Sequence, residues 1–300
     1  MPVNKILSSI KRTRRKKRVI REILNRPQRN EGVINIHRID TRNIGDYYSA
    51  PHHYFKELHG TSVDIFDYKS ENPEVTGNFI EKITENAVIV GGGGLLNRGG
   101  FRRQMKLFED LSRKGKKVVL WGVGHNAKDP ATFGKPIKYN VDIGVFGMAG
   151  TRDQSMPGDY VPCVSCMHAI FDQKYEPTQE IGVVFHKDTL RRPRITKKFS
   201  HLATSSNTTD LDSLIAFIGA SETVITDSYH TMYWSMLLGR KVVAIPNSSK
   251  FFDFGHKPVF SDFDSCLQDV TKAYPYEGVL EECRTINREF AARAFDYLNL

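Results

Sequence analysis

The stretch VITDSYHTMYWSMLLGRKVVAIPNSSK places a histidine and a lysine beyond the ends of two successive apolar runs. The first run ends in residues that favour a helix N-cap, and His230 opens the short apolar helix that follows. Lys250 follows the second run, KVVAIP. Open α/β sheets bind ligands at the carboxyl ends of their strands. We therefore predict a site for an anionic substrate, in which His230 moves protons and Lys250 binds negative charge.

The motif Asn43-Ile44-Gly45-Asp46 follows the first apolar run of the chain. Gly45 permits a tight turn, and Asp46 is predicted to cap a helix that begins YYSAPHHYF. Because this motif also lies beyond a strand, Asn43 and Asp46 are candidate substrate contacts. Capping alone is the alternative explanation for the aspartate.

Four consecutive glycines, Gly91, Gly92, Gly93 and Gly94, come after the apolar run AVIV. Without Cβ atoms, their backbone N–H groups can approach an anion or a sugar closely. The Lys-Ser/Thr pair of a P-loop does not follow them, so this is not the pattern of a Mg-nucleotide triphosphatase. The alternative is a sharp strand-to-helix turn packed against a neighbour.

Three further polar residues follow apolar runs in the same way. His125 ends the segment GVGH, which lacks the third glycine and the ribose-binding acid of an NAD site; it is a candidate substrate contact or a structural histidine. Arg152 offers a planar fork for a carboxylate or phosphate, unless it only pairs with Asp153 on the surface. Lys187 begins the basic loop KDTLRRPRITKK, which either steers a phosphorylated donor or is simply solvated.

The cysteines predict no metal site. Cys163 and Cys166 form a C-x-x-C pair, but no second pair or histidine cluster completes a zinc ligand set, so buried structural cysteines are predicted. Four cysteines in 300 residues fit a reducing compartment. No metal and no cofactor is expected.

The excess positive charge lies in the first 31 residues. They hold 11 of the 43 lysines and arginines and only two of the 34 acids, so the rest of the chain is balanced. The folded body is therefore not expected to bind nucleic acid specifically. The tail, residues 1–29, is either an interfacial helix on an anionic membrane surface or a solvated extension ending near Pro27. No secretory signal or membrane span is evident, which predicts a cytoplasmic protein, peripheral to a membrane if the tail binds lipid.

Alternating strands and helices begin at Val33. Short β-branched runs that end in glycine predict parallel strands with helical crossovers, first over residues 32–175 and again over 176–260. FDQKYEPTQE is the predicted linker, and residues 261–300 are predicted to be helical. The predicted fold class is α/β, with two Rossmann-like lobes facing a cleft and helices at the C-terminus.

In this order, the segments NIGD, VIVGGGGLL, LWGVGHN, TRDQS, ETVITDSYHTMYWSMLLGRKVVAIP and SSKF resemble the polysaccharide pyruvyl transferase family. The resemblance spans roughly residues 33–251. It implies a two-lobed fold like that of GT-B glycosyltransferases. It also implies transfer of a pyruvyl group from phosphoenolpyruvate to two sugar hydroxyls, which forms a ketal without a metal.

One departure from the family pattern bears on the donor. Many members have DRLH where this chain has DSYH, so Ser228 replaces an arginine and Tyr229 precedes the histidine. Another cation, such as Arg152, Lys187 or Lys250, must then hold the donor. The acceptor is expected to be a sugar, a glycan or a lipid-linked saccharide. The alternatives are a glycosyltransferase that uses a nucleotide sugar, and an inactive glycan-binding member of the family.

Overall fold

Two parallel sheets form the framework of the protein. The structure is a computed structural model, and it describes residues 3–60 and 62–300. The first sheet has the order β2-β1-β3-β4-β5-β6 and the second the order β11-β10-β9-β7-β8. The strands of the first sheet are β1 Val33–His37, β2 Ser62–Asp64, β3 Ala87–Leu96, β4 Val118–His125, β5 Met148–Thr151 and β6 Asp159–Tyr160. Those of the second are β7 Gln179–Phe185, β8 Ala203–Ser206, β9 Ser221–Thr226, β10 Lys241–Ala244 and β11 Val259–Phe260.

Helices cross between the strands and pack on the sheets. They are α1 Val3–Asn25, α2 Ile44–Tyr47, α3 Pro73–Glu85, α4 Arg102–Arg113, α5 Pro193–Thr196, α6 Leu211–Gly219, α7 Tyr229–Leu237, α8 Cys266–Asp269 and α9 Val279–Leu298. Local sequence sets several of their starts. Asn72 accepts a hydrogen bond from the Glu74 amide ahead of α3, and Asp210 accepts one from the Ser213 amide ahead of α6. The predicted class, α/β with two Rossmann-like lobes and a C-terminal helix, is confirmed.

The central strands are buried on both faces, as a parallel sheet between helices requires. Val88, Val90 and Leu120 belong to the core on one side of the first sheet, whereas Ile89 and Trp121 face the core on the other side. Parallel pairing runs regularly from Val88 opposite Val118 and then becomes irregular between Gly93 and Leu96. The strand pairing is therefore irregular at the carboxyl edge of the sheet, where the polar motifs lie.

The structure corrects the predicted end of one strand. The sequence places the four glycines at the end of a strand, with a strand-to-helix turn as the alternative, whereas β3 continues through them to Leu96. The glycines remain in the strand because another segment of the chain packs closely against them. A Cβ on Gly92 would lie 2.2 Å from the Ser49 carbonyl oxygen. Glycine is thus used in an extended strand to let another segment lie flat against it.

The basic N-terminal segment is helical and docked on the first lobe. Val19 and Ile23 are buried in the core with α3 and α4 nearby, and Arg15 forms an ion pair with Glu71. Val19 and Ile23 are thus packed inside the protein, and Ile20 and Leu24 are partly buried against the same core. The part of the predicted membrane-binding tail before residue 11 lies outside the described side chains. None of the helices among the described residues combines the length and apolar character needed to cross a bilayer.

Helix α9 connects the two lobes. Its first turns, with Val279 and Cys283, pack in the core of the second lobe. Its later turns, with Phe290 and Leu298, return to the first lobe. Phe290 meets the Trp121 ring edge to face at 5.0 Å, and the Trp121 indole donates a hydrogen bond to Asn287. The C-terminal residues therefore belong to both cores.

Candidate active site

A cleft of about 450 Å³ lies between the lobes at the carboxyl ends of their strands. The first lobe lines it chiefly with Asn43, Asp46, Gly92, Gly93, Arg98 and Lys128. The second lobe contributes His186, Lys187, Ser228, Tyr229, His230 and Lys250. The strand order reverses between β1 and β3 in the first sheet and between β7 and β9 in the second. These are the first and third strands of each lobe. Most of these residues follow those four strands, which is where doubly wound sheets bind ligands.

Two polar contacts join the lobes beside the cleft. The Lys187 ammonium lies 2.9 Å from a carboxylate oxygen of Asp40, and the Asn207 amide donates a hydrogen bond of 3.1 Å to Asn43. Asp40 and Asn43 lie in the loop after β1, Lys187 follows β7 and Asn207 follows β8, so these contacts hold the carboxyl edges of the two sheets together. Lys187, the first residue of the basic loop, therefore faces the cleft, although Asp40 already neutralises its charge.

Unpaired positive charge distinguishes the cleft. Lys250, Arg98 and Lys128 line it without an ion pair to any carboxylate of a described residue; Lys128 bonds only to the backbone and side-chain oxygens of Asn247. Arg152 lies nearby and is 1% exposed, and none of its three guanidinium nitrogens has a hydrogen-bond partner among the described residues. Buried charges are normally paired. A group of unpaired cations is therefore suited to an anionic ligand with more than one negative group.

Arg152 lies one layer beneath the surface of the cleft. Its guanidinium carbon is 4.1 Å from the centre of the Tyr229 ring, and it is Tyr229 that lines the cleft. The sequence predicted that Arg152 touches the donor directly, and the structure corrects this. Arg152 instead places a positive charge behind Tyr229, close enough to influence the ionisation of Asp46, His230 and Lys250. The predicted surface pair with Asp153 does not form.

His230 is buried against the NIGD motif at the floor of the cleft. The ring is 6% exposed, and its Nε2 lies 3.6 Å from the Cys163 sulfur. Burial is the main cause that lowers the pKa of His230 well below its usual value, and the charges of Arg152 and Lys250 lower it further. The imidazole is thus neutral in the free protein and can accept a proton. An anion bound beside these two cations would offset their effect and raise the pKa again.

Gly45 is the residue that lets His230 reach this position. An ideal Cβ on Gly45 would lie 2.1 Å from Nδ1 of His230. We expect Gly45→Ala to lower the free energy of unfolding by about 1–3 kcal/mol, because the methyl group must displace a buried ring or helix α2. Urea denaturation measures this. Gly77→Ala is the matched control: no atom lies within 4 Å of its ideal Cβ, so a neutral or stabilising change of about 0.5–1 kcal/mol is expected there. Equal effects at both glycines would contradict the close packing of Gly45 on His230.

Asp46 is placed differently from its prediction. It lies inside α2, whose N-cap position is Asn43, and it does not cap a helix beginning YYSAPHHYF. Its carboxylate accepts a hydrogen bond of 2.6 Å from the Asn43 amide and lies close to Gly93. Burial raises the pKa of Asp46, although the nearby Lys250 and Arg152 act in the opposite direction. The side chain lines the cleft and can accept a hydrogen bond from a hydroxyl group.

Lys250 and His186 both have pKa values shifted by the same environment. Burial, and then the charge of Arg152, lower the pKa of Lys250 to about 7, with Asp46 opposing the shift. Burial and the charge of Lys250 lower the pKa of His186 to about 4. Lys250 is therefore the cleft residue whose charge changes near neutral pH. Such perturbed groups in a cleft are typical of functional sites.

Two predicted contacts lie away from the cleft. The His125 ring interacts with the Ser249 hydroxyl at 2.7 Å and with Asp253 at 3.2 Å, so its nitrogens are already used. It is a structural histidine, and the predicted contact with substrate hydroxyls is wrong. Gly91 faces Ala50 and Pro51 rather than the cleft, whereas Gly92, Gly93 and Gly94 line it. Cys163 and Cys166 are buried free thiols, in agreement with their predicted structural role.

Among the residues that line the cleft, the sequence interpretation missed four with basic side chains, Arg38, Arg98, Lys128 and His186. Each lies within three residues of the end of a strand, which is the signal that singled out the others. His186 directly precedes Lys187, and the missed cations had no recognisable motif around them. Arg38 is held by an ion pair with Asp64 and so does not add to the unpaired charge.

No protein-family model and no curated protein matches this sequence. The functional argument therefore depends on the geometry and charge of the cleft, together with the motif resemblance described above.

Proposed function

We propose that the protein is a transferase that binds phosphoenolpyruvate in the interlobe cleft and transfers its pyruvyl group to two hydroxyls of a saccharide. The observation that carries the proposal is the set of unpaired cations, Lys250, Lys128, Arg98 and the buried Arg152, around a neutral histidine. Phosphoenolpyruvate has a carboxylate and a phosphate, which separate cations can hold at once. The positive charge also compensates for the arginine that Ser228 replaces.

The proposed reaction needs both proton delivery and proton removal. Protonation of the donor's methylene carbon makes a methyl group and a cation-like centre at the neighbouring carbon. The first sugar hydroxyl adds to that centre and loses its proton. The phosphate then leaves as the carbon–oxygen bond breaks, and the second hydroxyl adds and loses its proton. One hydroxyl proton thus replaces the proton delivered to carbon, and the other leaves with the phosphate.

Different residues of the cleft have different roles in the proposed reaction. His230 is neutral before the donor binds, so it is suited to take a proton from an attacking hydroxyl. Lys250, with its pKa near 7, both attracts the donor and can supply a proton. Asp46, held by Asn43, accepts a hydrogen bond from the acceptor, and Gly93, which lines the cleft, has no side chain to obstruct a sugar ring. The acceptor is a sugar, a glycan or a lipid-linked saccharide.

Ligand-induced thermal stabilisation tests the donor. We expect phosphoenolpyruvate to raise the melting temperature more than pyruvate or inorganic phosphate at the same concentration, because only it engages both anion sites. Lys250→Gln should lose most of that stabilisation, whereas Lys257→Gln, outside the cleft, should keep it. Stabilisation by UDP-glucose but not by phosphoenolpyruvate would replace this proposal with the nucleotide-sugar alternative. If the protein binds glycans but neither donor, the alternative of an inactive glycan-binding member of the family would be favoured.

Mass spectrometry of a saccharide panel incubated with protein and phosphoenolpyruvate identifies the acceptor. A product carrying a pyruvyl ketal, formed together with one inorganic phosphate, is the expected result. Donor stabilisation without any such product across pyruvylated-glycan precursors would contradict the transfer step while leaving donor binding intact.

The charge of Lys250 predicts a pH dependence of donor binding. Raising the pH through about 7 removes the ammonium charge in the free protein, so the affinity for phosphoenolpyruvate should fall by up to about tenfold per pH unit above that value. Lys250→Arg keeps its charge over this range, so its affinity should change less between pH 7 and 9. Calorimetric titration of both proteins separates this effect from ionisation of the ligand, which they share. Parallel profiles would show that Lys250 does not carry the binding charge.

A further inference from the structure

A second group of histidines lies outside the cleft and has no role in the proposed reaction. His37 is the last residue of β1, and His52 and His53 lie in the turn Pro51–His53 that follows α2. One ring nitrogen from each lies within 4.8 Å of those from the other two. The His52 and His53 rings are 4.0 Å apart between centres, and His37 is 4.9 Å from His52. Three histidines from two separate segments thus converge on one point.

The hydrogen bonding of these rings is incomplete. His37 is 1% exposed, and neither of its ring nitrogens has a partner among the described residues. Nδ1 of His52 is likewise buried without a described partner. A buried polar atom without a partner normally costs folding free energy, so a ligand that satisfies several such atoms at once is favoured.

The arrangement of His53 adds a feature typical of metal ligands. Its Nε2 lies 2.9 Å from the Tyr47 carbonyl oxygen, which can only accept a hydrogen bond, so Nε2 carries the proton and Nδ1 the lone pair. Metal-bound histidines usually donate their other N–H to a carbonyl in this way. Burial also lowers the pKa values of all three imidazoles, which keeps them neutral, as metal ligands must be.

We propose that His37, His52 and His53 bind a divalent transition-metal ion of the zinc type, with an open fourth position. Three histidine nitrogens are an established zinc ligand set, with bonds of about 2.0–2.1 Å. The nitrogens now lie within 4.8 Å of one another, so binding requires the half-buried His52 and His53 rings to turn until their nitrogens close on one ion. The ion ties the turn after α2 to the end of β1. Because that connection carries Asp46 and Ser49 into the cleft, the ion stabilises the acceptor side of the site without taking part in proton transfer.

Metal analysis of untagged full-length protein tests the proposal. After treatment with a chelator and removal of free metal, the protein should take up one Zn²⁺ per chain, measured by plasma mass spectrometry. Co²⁺ should give the strong visible absorption of a tetrahedral site. Zn²⁺ should also raise the melting temperature of the chelator-treated protein.

Variants locate the site on these residues. His52→Gln and His53→Gln are chosen because both rings are half-buried and the variants are expected to fold; each should lose the stoichiometric Zn²⁺, the Co²⁺ spectrum and the Zn²⁺-induced thermal shift. His201→Gln, at an exposed histidine of the second lobe, should keep all three. Unchanged uptake in His52→Gln and His53→Gln, or less than one Zn²⁺ per chain in the unaltered protein, would overturn the proposal. These readouts do not depend on the donor or the acceptor.

Discussion

Replacing His230 by glutamine should lower turnover by about 10²- to 10⁴-fold while leaving the affinity for phosphoenolpyruvate within a few fold. Glutamine keeps the polar character and much of the volume of the ring but cannot move a proton at neutral pH. The effect is expected at the chemical step because, in the proposed site, the donor is held by cations, chiefly Lys250, and not by the neutral imidazole. Turnover is measured as the rate of phosphate release in the presence of the acceptor that mass spectrometry has identified. Calorimetry measures the affinity for phosphoenolpyruvate.

The control for this experiment is His201→Gln, which removes an exposed histidine and should leave both quantities unchanged. Circular dichroism and a melting curve establish that the His230 variant is folded, since the ring packs against Gly45 and Trp234. A folded His230→Gln protein with a near-normal rate would show that another group moves the proton. A parallel loss of donor affinity and rate would instead assign His230 to binding.

Arg152→Met should make the protein more stable and less able to bind its donor. The guanidinium is almost completely buried without a hydrogen-bond partner among the described residues, so removing it relieves the cost of burying donors that are not hydrogen-bonded. Methionine fills similar space and retains contact with the Tyr229 ring. We expect the free energy of unfolding to rise by about 1–2 kcal/mol. The same change removes a positive charge beneath the cleft, and donor affinity should fall by about 10- to 100-fold.

Denaturation in urea and calorimetric titration with phosphoenolpyruvate give the two quantities from one preparation. Arg288→Met is the matched control. Arg288 is half exposed and pairs with Glu281, so its replacement should change stability by no more than about 0.5 kcal/mol and leave binding unaffected. If the Arg152→Met protein were less stable and bound the donor normally, the guanidinium would contribute to packing and not to donor binding. The opposite signs of the two expected effects are typical of a site that trades stability for binding.

The sequence determined the elements and the edge at which the site lies. Short β-branched runs that end in glycine predicted parallel strands, and both sheets are parallel. His230, Lys250, Lys187, Asn43 and Asp46 all line the cleft beyond the carboxyl ends of strands. This worked because strand direction and crossover geometry follow from local pattern, and parallel strands bring their following residues to one edge.

Local pattern misled where distant segments meet. The four glycines were expected to end a strand, but the chain at Ser49 packs flat on them and they remain extended within β3. His125 was a candidate substrate contact, but its ring nitrogens contact Ser249 and Asp253, which are more than 120 residues away in the sequence. Asp46 lines the cleft as expected but does not cap the predicted helix, because α2 starts at Ile44 with Asn43 at its N-cap position.

The sequence by itself determined a two-sheet α/β protein with polar groups collected at the strand ends. Only the tertiary structure decided which of those groups are unpaired. Arg152 and Lys187 are equally basic in the sequence, yet Lys187 meets Asp40 across the cleft and Arg152 lies beneath Tyr229 without an ion pair to a described carboxylate. Likewise, three histidines separated by up to 16 positions meet at one point. The physical reason is that charge compensation and ligand sets depend on distances between atoms, which the packing of the two lobes fixes and residue order does not.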